Sequence, residues 1–255
     1  MIIVRKIQIP GLETAKPRRL YVYLPKDYEA SERRYPVLYM FDGHNVFYNS
    51  HATYGKSWGM KEYLQKTKLP LIVVGIECNP EDGKRMSEYS PWDLTRRGFG
   101  AVEGRGKATM DWIVKDLKPA VDAEFRTLSD REHTMIAGSS MGGLMTVYAA
   151  VAYNGVFSRA AALSPCLFLH PRKMAALIKE KAPLAQPTRI YMDYGSAEWD
   201  GKCSGHWAEM FRTAARLSGA GAHTAARVVP DALHSEAYWE QRIPLFMDYL
   251  YPKED

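Results

Sequence analysis

Ser140 has the clearest chemical context in the chain. It stands within Gly138-Ser139-Ser140-Met141-Gly142-Gly143, a G-x-S-x-G pattern in which a buried strand, a tight turn tipped by serine and a helix follow one another. Residues 133–137 read as the strand and residues 144–150, small and apolar, as the helix. Centring the pattern on Ser139 would require glycine at Ala137 and Met141, so Ser140 is the candidate nucleophile. The glycines have a physical task, because a serine held in a strained turn needs neighbours with almost no side chain.

A serine hydroxyl is a weak nucleophile at neutral pH and needs a base, which in turn needs an orienting partner. With this elbow the partners follow in the order serine, acid, histidine. His234 comes after the last strand signal, residues 224–229, and before the final helix, which is where the base belongs. His223 precedes that strand and His206 opens a helix, while His44, His51, His133 and His170 lie elsewhere in chain order. The acid is expected just past the strand at 189–194. Glu198 ranks first, Asp200 second and Asp193 third, since Asp193 is still inside the strand. The oxyanion of a tetrahedral intermediate needs two backbone donors. One is the N–H of Met141, and the other falls within Phe41-Asp42-Gly43-His44-Asn45, the loop after the apolar run at 35–41.

The elements that must position these groups alternate. Strand signals at 35–41, 69–76, 133–137, 160–163, 189–194 and 224–229 are separated by helical patterns at 58–66, 109–125, 144–150, 172–181 and 206–217, with a last helix at 236–250. That alternation predicts a mostly parallel central sheet flanked by helices, opened by an antiparallel pair at 1–9 and 18–24. Pro119 and Pro244 are expected to kink their helices. Residues 78–107 are rich in Gly, Pro, Arg and aromatics and far exceed an ordinary loop of about 4–6 residues, so they are expected to lie near substrate.

Length and composition set the outer bounds. No linker, low-complexity run or repeat divides the 255 residues, which favours one domain over 1–255. The charge of +5 is spread among acids, and no basic stripe or recognition helix argues for nucleic acid. Residues 1–9 become charged too soon for a signal peptide, and no apolar run reaches membrane-spanning length. The three cysteines, Cys78, Cys166 and Cys203, are scattered, which favours a reducing cytoplasm and offers no metal-ligand spacing. No metal and no cofactor is expected.

Met40-Phe41-Asp42-Gly43-His44-Asn45, Ser57-Trp58-Gly59, Glu88-Tyr89-Ser90-Pro91-Trp92, the elbow, Gly195-Ser196-Ala197-Glu198 and His234 together resemble the esterase D group of α/β-hydrolases over about residues 17–250. The resemblance implies a single-domain α/β-hydrolase fold with helices on both faces of the sheet. It implies Ser140, Glu198 and His234 as a catalytic triad, with the backbone N–H groups of His44 and Met141 as oxyanion hole. The expected activity is a serine carboxylesterase acting on a small-molecule or oligosaccharide ester, carbohydrate- or aryl-linked, with Trp58 and Trp92 among the aromatics expected to line its pocket. Two other readings stand beside it: an acyltransferase using the same triad with a sugar acceptor, and a non-catalytic binding protein on a hydrolase fold. Oligomeric state is not legible.

Overall fold

Apolar runs long enough to be covered on both faces become the central strands. Val37–Phe41 (β3) and Ile72–Ile76 (β4) are buried at every position, as strands of a parallel sheet are. The computed structural model describes residues 1–12, 14, 17–81, 83–96 and 100–251, the side chain of Arg96 excepted. Arg97, which contributes to the basic character of the 78–107 segment, lies outside the described residues. The chain divides into two units, Met1–Met135 and Ile136–Asp255.

In the first unit β1 (Ile2–Ile7) and β2 (Arg18–Tyr23) form the expected antiparallel pair, and β2 also runs antiparallel to β4. β3 and β4 are parallel, with Val37 opposite Ile72 and Phe41 opposite Ile76. α1 (Met60–Thr67) connects them. The 78–107 segment has structure of its own. α2 (Lys84–Glu88) is followed by a two-stranded antiparallel sheet of β5 (Leu94–Arg96) and β6 (Gly100–Val102). Its base is pinned. Arg18, almost wholly buried, sends its two terminal nitrogens to Glu88 at 2.8 and 2.6 Å, and Glu88 also accepts the Asn79 N–H at 3.0 Å. Asp93 Oδ1 accepts the Gly104 N–H at 2.9 Å, closing the root of the small sheet.

The helix expected over 109–125 is continuous but uneven. α3 (Gly106–Trp112) passes into one wide π turn at Ile113–Leu117 and then into α4 (Lys118–Glu124). Pro119 has no N–H for the carbonyl one turn back and its ring crowds that carbonyl, so the preceding turn widens instead of breaking. Pro244, by contrast, is carried inside an unbroken helix.

The second unit follows the expected βα alternation. β7 (Thr134–Ser139), whose first two residues fall in the other unit, lies beside β8 (Arg159–Leu163). β8 pairs in parallel with β9 (Arg189–Gly195), and β9 with β10 (His223–Val229). α5 (Met141–Ala152) packs on β8 and is buried from Met141 through Val151, the mark of a helix covered all round. α6 (Pro171–Lys181), α7 (Ser204–Gly219) and α8 (Glu236–Leu250) complete the unit. The architecture is the mostly parallel sheet with helices that the alternation predicted. The three cysteines are free and buried, and among the described residues no helix is long and apolar enough to cross a membrane.

Candidate active site

The elbow is where backbone strain is concentrated. Ser140 has φ of 58° and ψ of −119°, a conformation that costs a non-glycine residue on the order of 1–3 kcal/mol. It is held by Ser140 N–H donating to Leu163 O at 2.9 Å, and by its own carbonyl accepting from Leu144 and Cys166 N–H at 3.0 and 3.1 Å. A Cβ at Gly138 would lie 2.8 Å from the carbonyl carbon of Gly142, so the strand can meet the helix only with glycine there. The Met141 N–H sits at the first position of α5, where the helix supplies no acceptor.

β9 and β10 lead into the loops that carry Glu198 and His234. Glu198 follows the end of β9 and is wholly buried, while the His234 side chain is 22% exposed. Glu198 Oε2 and His234 Nδ1 are 2.7 Å apart. An ionised carboxylate only accepts, so Nδ1 carries the proton and Nε2 is left with a lone pair. Glu198 Oε1 accepts from the Gly195 N–H at 2.7 Å and from the Ser164 hydroxyl at 2.6 Å. Burial pushes the Glu198 carboxyl up, but the bonds from His234, Ser164 and Gly195 outweigh it and hold it below the ordinary carboxylate value. Asp200 is exposed and Asp193 is engaged elsewhere, so Glu198 is the carboxylate that meets the imidazole.

The loops carrying the two groups are zipped to each other. Ser196 N–H donates to Val229 O at 2.9 Å, Ala197 N–H to Ala232 O at 3.2 Å and Asp231 N–H to Ser196 Oγ at 2.8 Å. Gly195 permits this: a Cβ there would stand 2.0 Å from Ala232 O. Two indoles flank the imidazole, Trp199 and Trp239, each with its ring centroid 5.0 Å away. Trp239 Nε1 donates to Ser164 Oγ at 3.0 Å. Trp199 is 46% exposed and adopts φ of 54°, and it leaves a large aromatic face open beside the imidazole.

Ser140 Oγ is turned toward Cys166 Sγ, 3.6 Å away. Among the described residues it makes no hydrogen bond with His234. Catalytic hydrogen bonds of this kind are often formed only with substrate in place.

His44 belongs to the first unit, in the short turn Gly43–Asn45. Among the described residues its backbone N–H has no acceptor. The turn is fixed from several sides: the Asp42 carboxylate receives Arg85 Nε and Nη2 at 2.7 Å each, and Asp42 N–H donates to Tyr89 Oη at 3.0 Å. Asp42, His44 and Cys78 offer three ligand atoms within 4.8 Å of one another. They do not suit a cation. Arg85 already occupies both Asp42 oxygens, and burial pushes the Cys78 thiol far up, keeping it protonated. The two tryptophans expected to line a pocket differ in burial. Trp58 is 3% exposed, a core position, and its backbone N–H donates to Asn45 O at 2.8 Å. Trp92 is half-buried.

The sequence reading missed Ser164 and Trp239, which orient the acid. Ser164 stands at the carboxyl end of buried β8 with φ of 49°, a place where a polar residue is worth weighing for function.

The chain matches the family model described as "Putative esterase" over residues 12–246. It is 26% identical over 185 residues to uncharacterized protein YbbA of Bacillus subtilis, covering 71% of this chain and 69% of that protein. It is 32% identical over 143 residues to esterase Rv1288 of Mycobacterium tuberculosis, covering 56% of this chain but only 28% of that protein. An IroE-like serine hydrolase from Shewanella oneidensis superposes with a TM-score of 0.74 at 21% identity, covering 97% of this chain and 81% of the other. That likeness shows the fold.

Proposed function

The chain belongs to this esterase family, and from that premise we propose that it is a serine carboxylesterase working through an acyl-enzyme on Ser140. The Ser140 hydroxyl swings from Cys166 to His234, attacks the ester carbonyl carbon and gives its proton to His234 Nε2. The tetrahedral oxyanion is taken by the Met141 N–H. Collapse breaks the bond to the alkoxy oxygen, which leaves as alcohol with the proton from His234. Water then loses a proton to His234 as it attacks the acyl carbonyl. The acid is released and Ser140 recovers its proton. Glu198 stays ionised throughout, holding the imidazole in one tautomer and stabilising its cation.

The observation that carries this reading is the 2.7 Å contact between Glu198 and His234, in the same unit as a serine held at an elbow with φ of 58°. The exposed face of Trp199 beside the base supports a substrate that stacks a ring there, a planar phenolic ring or the apolar face of a sugar, next to the scissile ester. A fluorophosphonate probe followed by peptide mass spectrometry tests the proposal. The wild type should carry one phosphonyl group on Ser140 and Ser140→Ala none. A wild type that stays unlabelled at millimolar probe would refute it.

A further inference from the structure

Beneath Glu198 and His234 lies a charged cluster that the reaction above does not use. Arg242 on α8 and Asp193 in β9 have side chains 1% and 0% exposed. Arg242 Nη1 donates to Asp193 Oδ1 at 2.8 Å, and the Tyr191 hydroxyl donates to Asp193 Oδ2 at 2.8 Å. Arg242 Nη2 donates to the Leu233 carbonyl at 3.2 Å and stands 3.5 Å from Glu198 Oε1. One guanidinium therefore touches the strand that leads to the acid, the acid, and the peptide unit joining Leu233 to His234.

For stability alone this is a poor bargain. A buried ion pair is often no better than well-packed apolar residues of the same volume. What the cluster adds is geometry. A planar fork can hold a strand carboxylate with one nitrogen and a loop carbonyl with the other, which a point-charge ammonium cannot do. Asp193 also keeps the guanidinium committed. With its charge satisfied at 2.8 Å, Arg242 remains 3.5 Å from Glu198 and does not compete with His234 for that carboxylate.

We propose that Arg242 and Asp193 form a positioning pair: Arg242 fixes the backbone that carries His234 at its distance from Glu198, and Asp193 restrains Arg242 from capturing the acid. The proposal rests on the triad reading above. Other groups also face this centre. Tyr191 and Tyr194 come from β9 and Arg227, over the Tyr191 ring, from β10; Cys203 flanks α7, with Cys166 on the Tyr194 side.

Asp193→Asn keeps the shape and removes the restraint. Arg242 should then close on Glu198 and weaken its hold on the imidazolium, so the acid limb of the kcat/KM profile should move to lower pH. Arg242→Met combined with Asp193→Leu removes both charges and offers a packed substitute, which protects the fold. Its kcat should drop about ten- to a hundredfold through loss of alignment, with KM close to wild type. A wild-type pH limb in Asp193→Asn, or a wild-type kcat in the double variant, would overturn the proposal. The imidazole resonances of His234, titrated by NMR in wild type and Asp193→Asn, give a readout independent of hydrolysis. A wild type unlabelled by fluorophosphonate would sink the esterase reading. An unmoved His234 midpoint in Asp193→Asn would sink the positioning pair whatever the labelling shows.

Discussion

Replacing Glu198 by glutamine changes one atom and should disable the base by tautomer. The amide oxygen has to occupy the Oε1 position, because the Gly195 N–H at 2.7 Å is fixed by the backbone and cannot turn away. The Ser164 hydroxyl, at 2.6 Å, can rotate and does not alter this choice. The amide NH2 then faces His234 Nδ1 at the 2.7 Å where a carboxylate oxygen now accepts. Two donors cannot share that line, so the imidazole moves its proton to Nε2, the atom that must receive the proton from Ser140. An analogous acid-to-amide change in a serine protease triad costs about 10⁴ in kcat through the wrong tautomer. The same logic gives a loss of about 10³–10⁴ here, or about 4–5.5 kcal/mol of transition-state stabilisation. KM should stay near wild type, since the acid does not touch substrate. Steady-state hydrolysis of a nitrophenyl acetate ester measures both constants, and NMR of the His234 ring nitrogens identifies the tautomer. A kcat within tenfold of wild type, with the proton still on Nδ1, would refute the reasoning.

Gly195→Ala should separate the acid and base loops, because its Cβ would meet Ala232 O at 2.0 Å and that atom is backbone. The expected cost is about 1–3 kcal/mol of overpacking, seen as a lower Tm in a thermal melt. Activity should be lost beyond what the fall in folded fraction explains, and an unchanged Tm would contradict the close approach. Acid stability offers a separate check. A carboxyl whose folded value lies below its ordinary one adds stability above the ordinary range and surrenders it as pH falls through the folded value. Glu198 and Asp42, both held below their ordinary values of 4.5 and 3.8, act in this sense. Glu88 and Asp193, pushed up by burial, act in the opposite sense. The test is therefore the difference between proteins: from pH 6 down to about pH 3, Tm should fall less steeply in Glu198→Gln than in wild type, and parallel curves would be inconsistent with a depressed Glu198.

Where a signal is local, it is readable from the chain. The runs at 37–41 and 72–76 are apolar at every position, and the structure makes both into buried strands. Ser140 announces itself because its turn needs glycines at fixed offsets, and His234 because it follows the last strand. Ranking Glu198 over Asp200 depended on loop geometry, which a two-residue difference in spacing barely encodes. The small sheet of β5 and β6 was hidden by a glycine- and arginine-rich composition typical of loops. Arg242 was invisible for a stronger reason. Its partners Asp193 and Leu233 are 49 and nine positions away, and nothing near Arg242 in the chain distinguishes it from a solvated helix arginine. Trp58 shows the converse, since an aromatic beside a motif is as easily a buried core side chain as a face for a ligand.

The root of the β5–β6 sheet sets where this chain can be lengthened. Asp93 and Gly104 clamp its two stems together, and a Cβ on Gly104 would strike the Trp92 carbonyl carbon at 2.2 Å. Sequence grafted beyond that clamp starts from ends already brought together, so the closure entropy of a longer excursion grows only slowly with length. This one appendage of the first unit could thus be exchanged or lengthened with its clamped stem left intact.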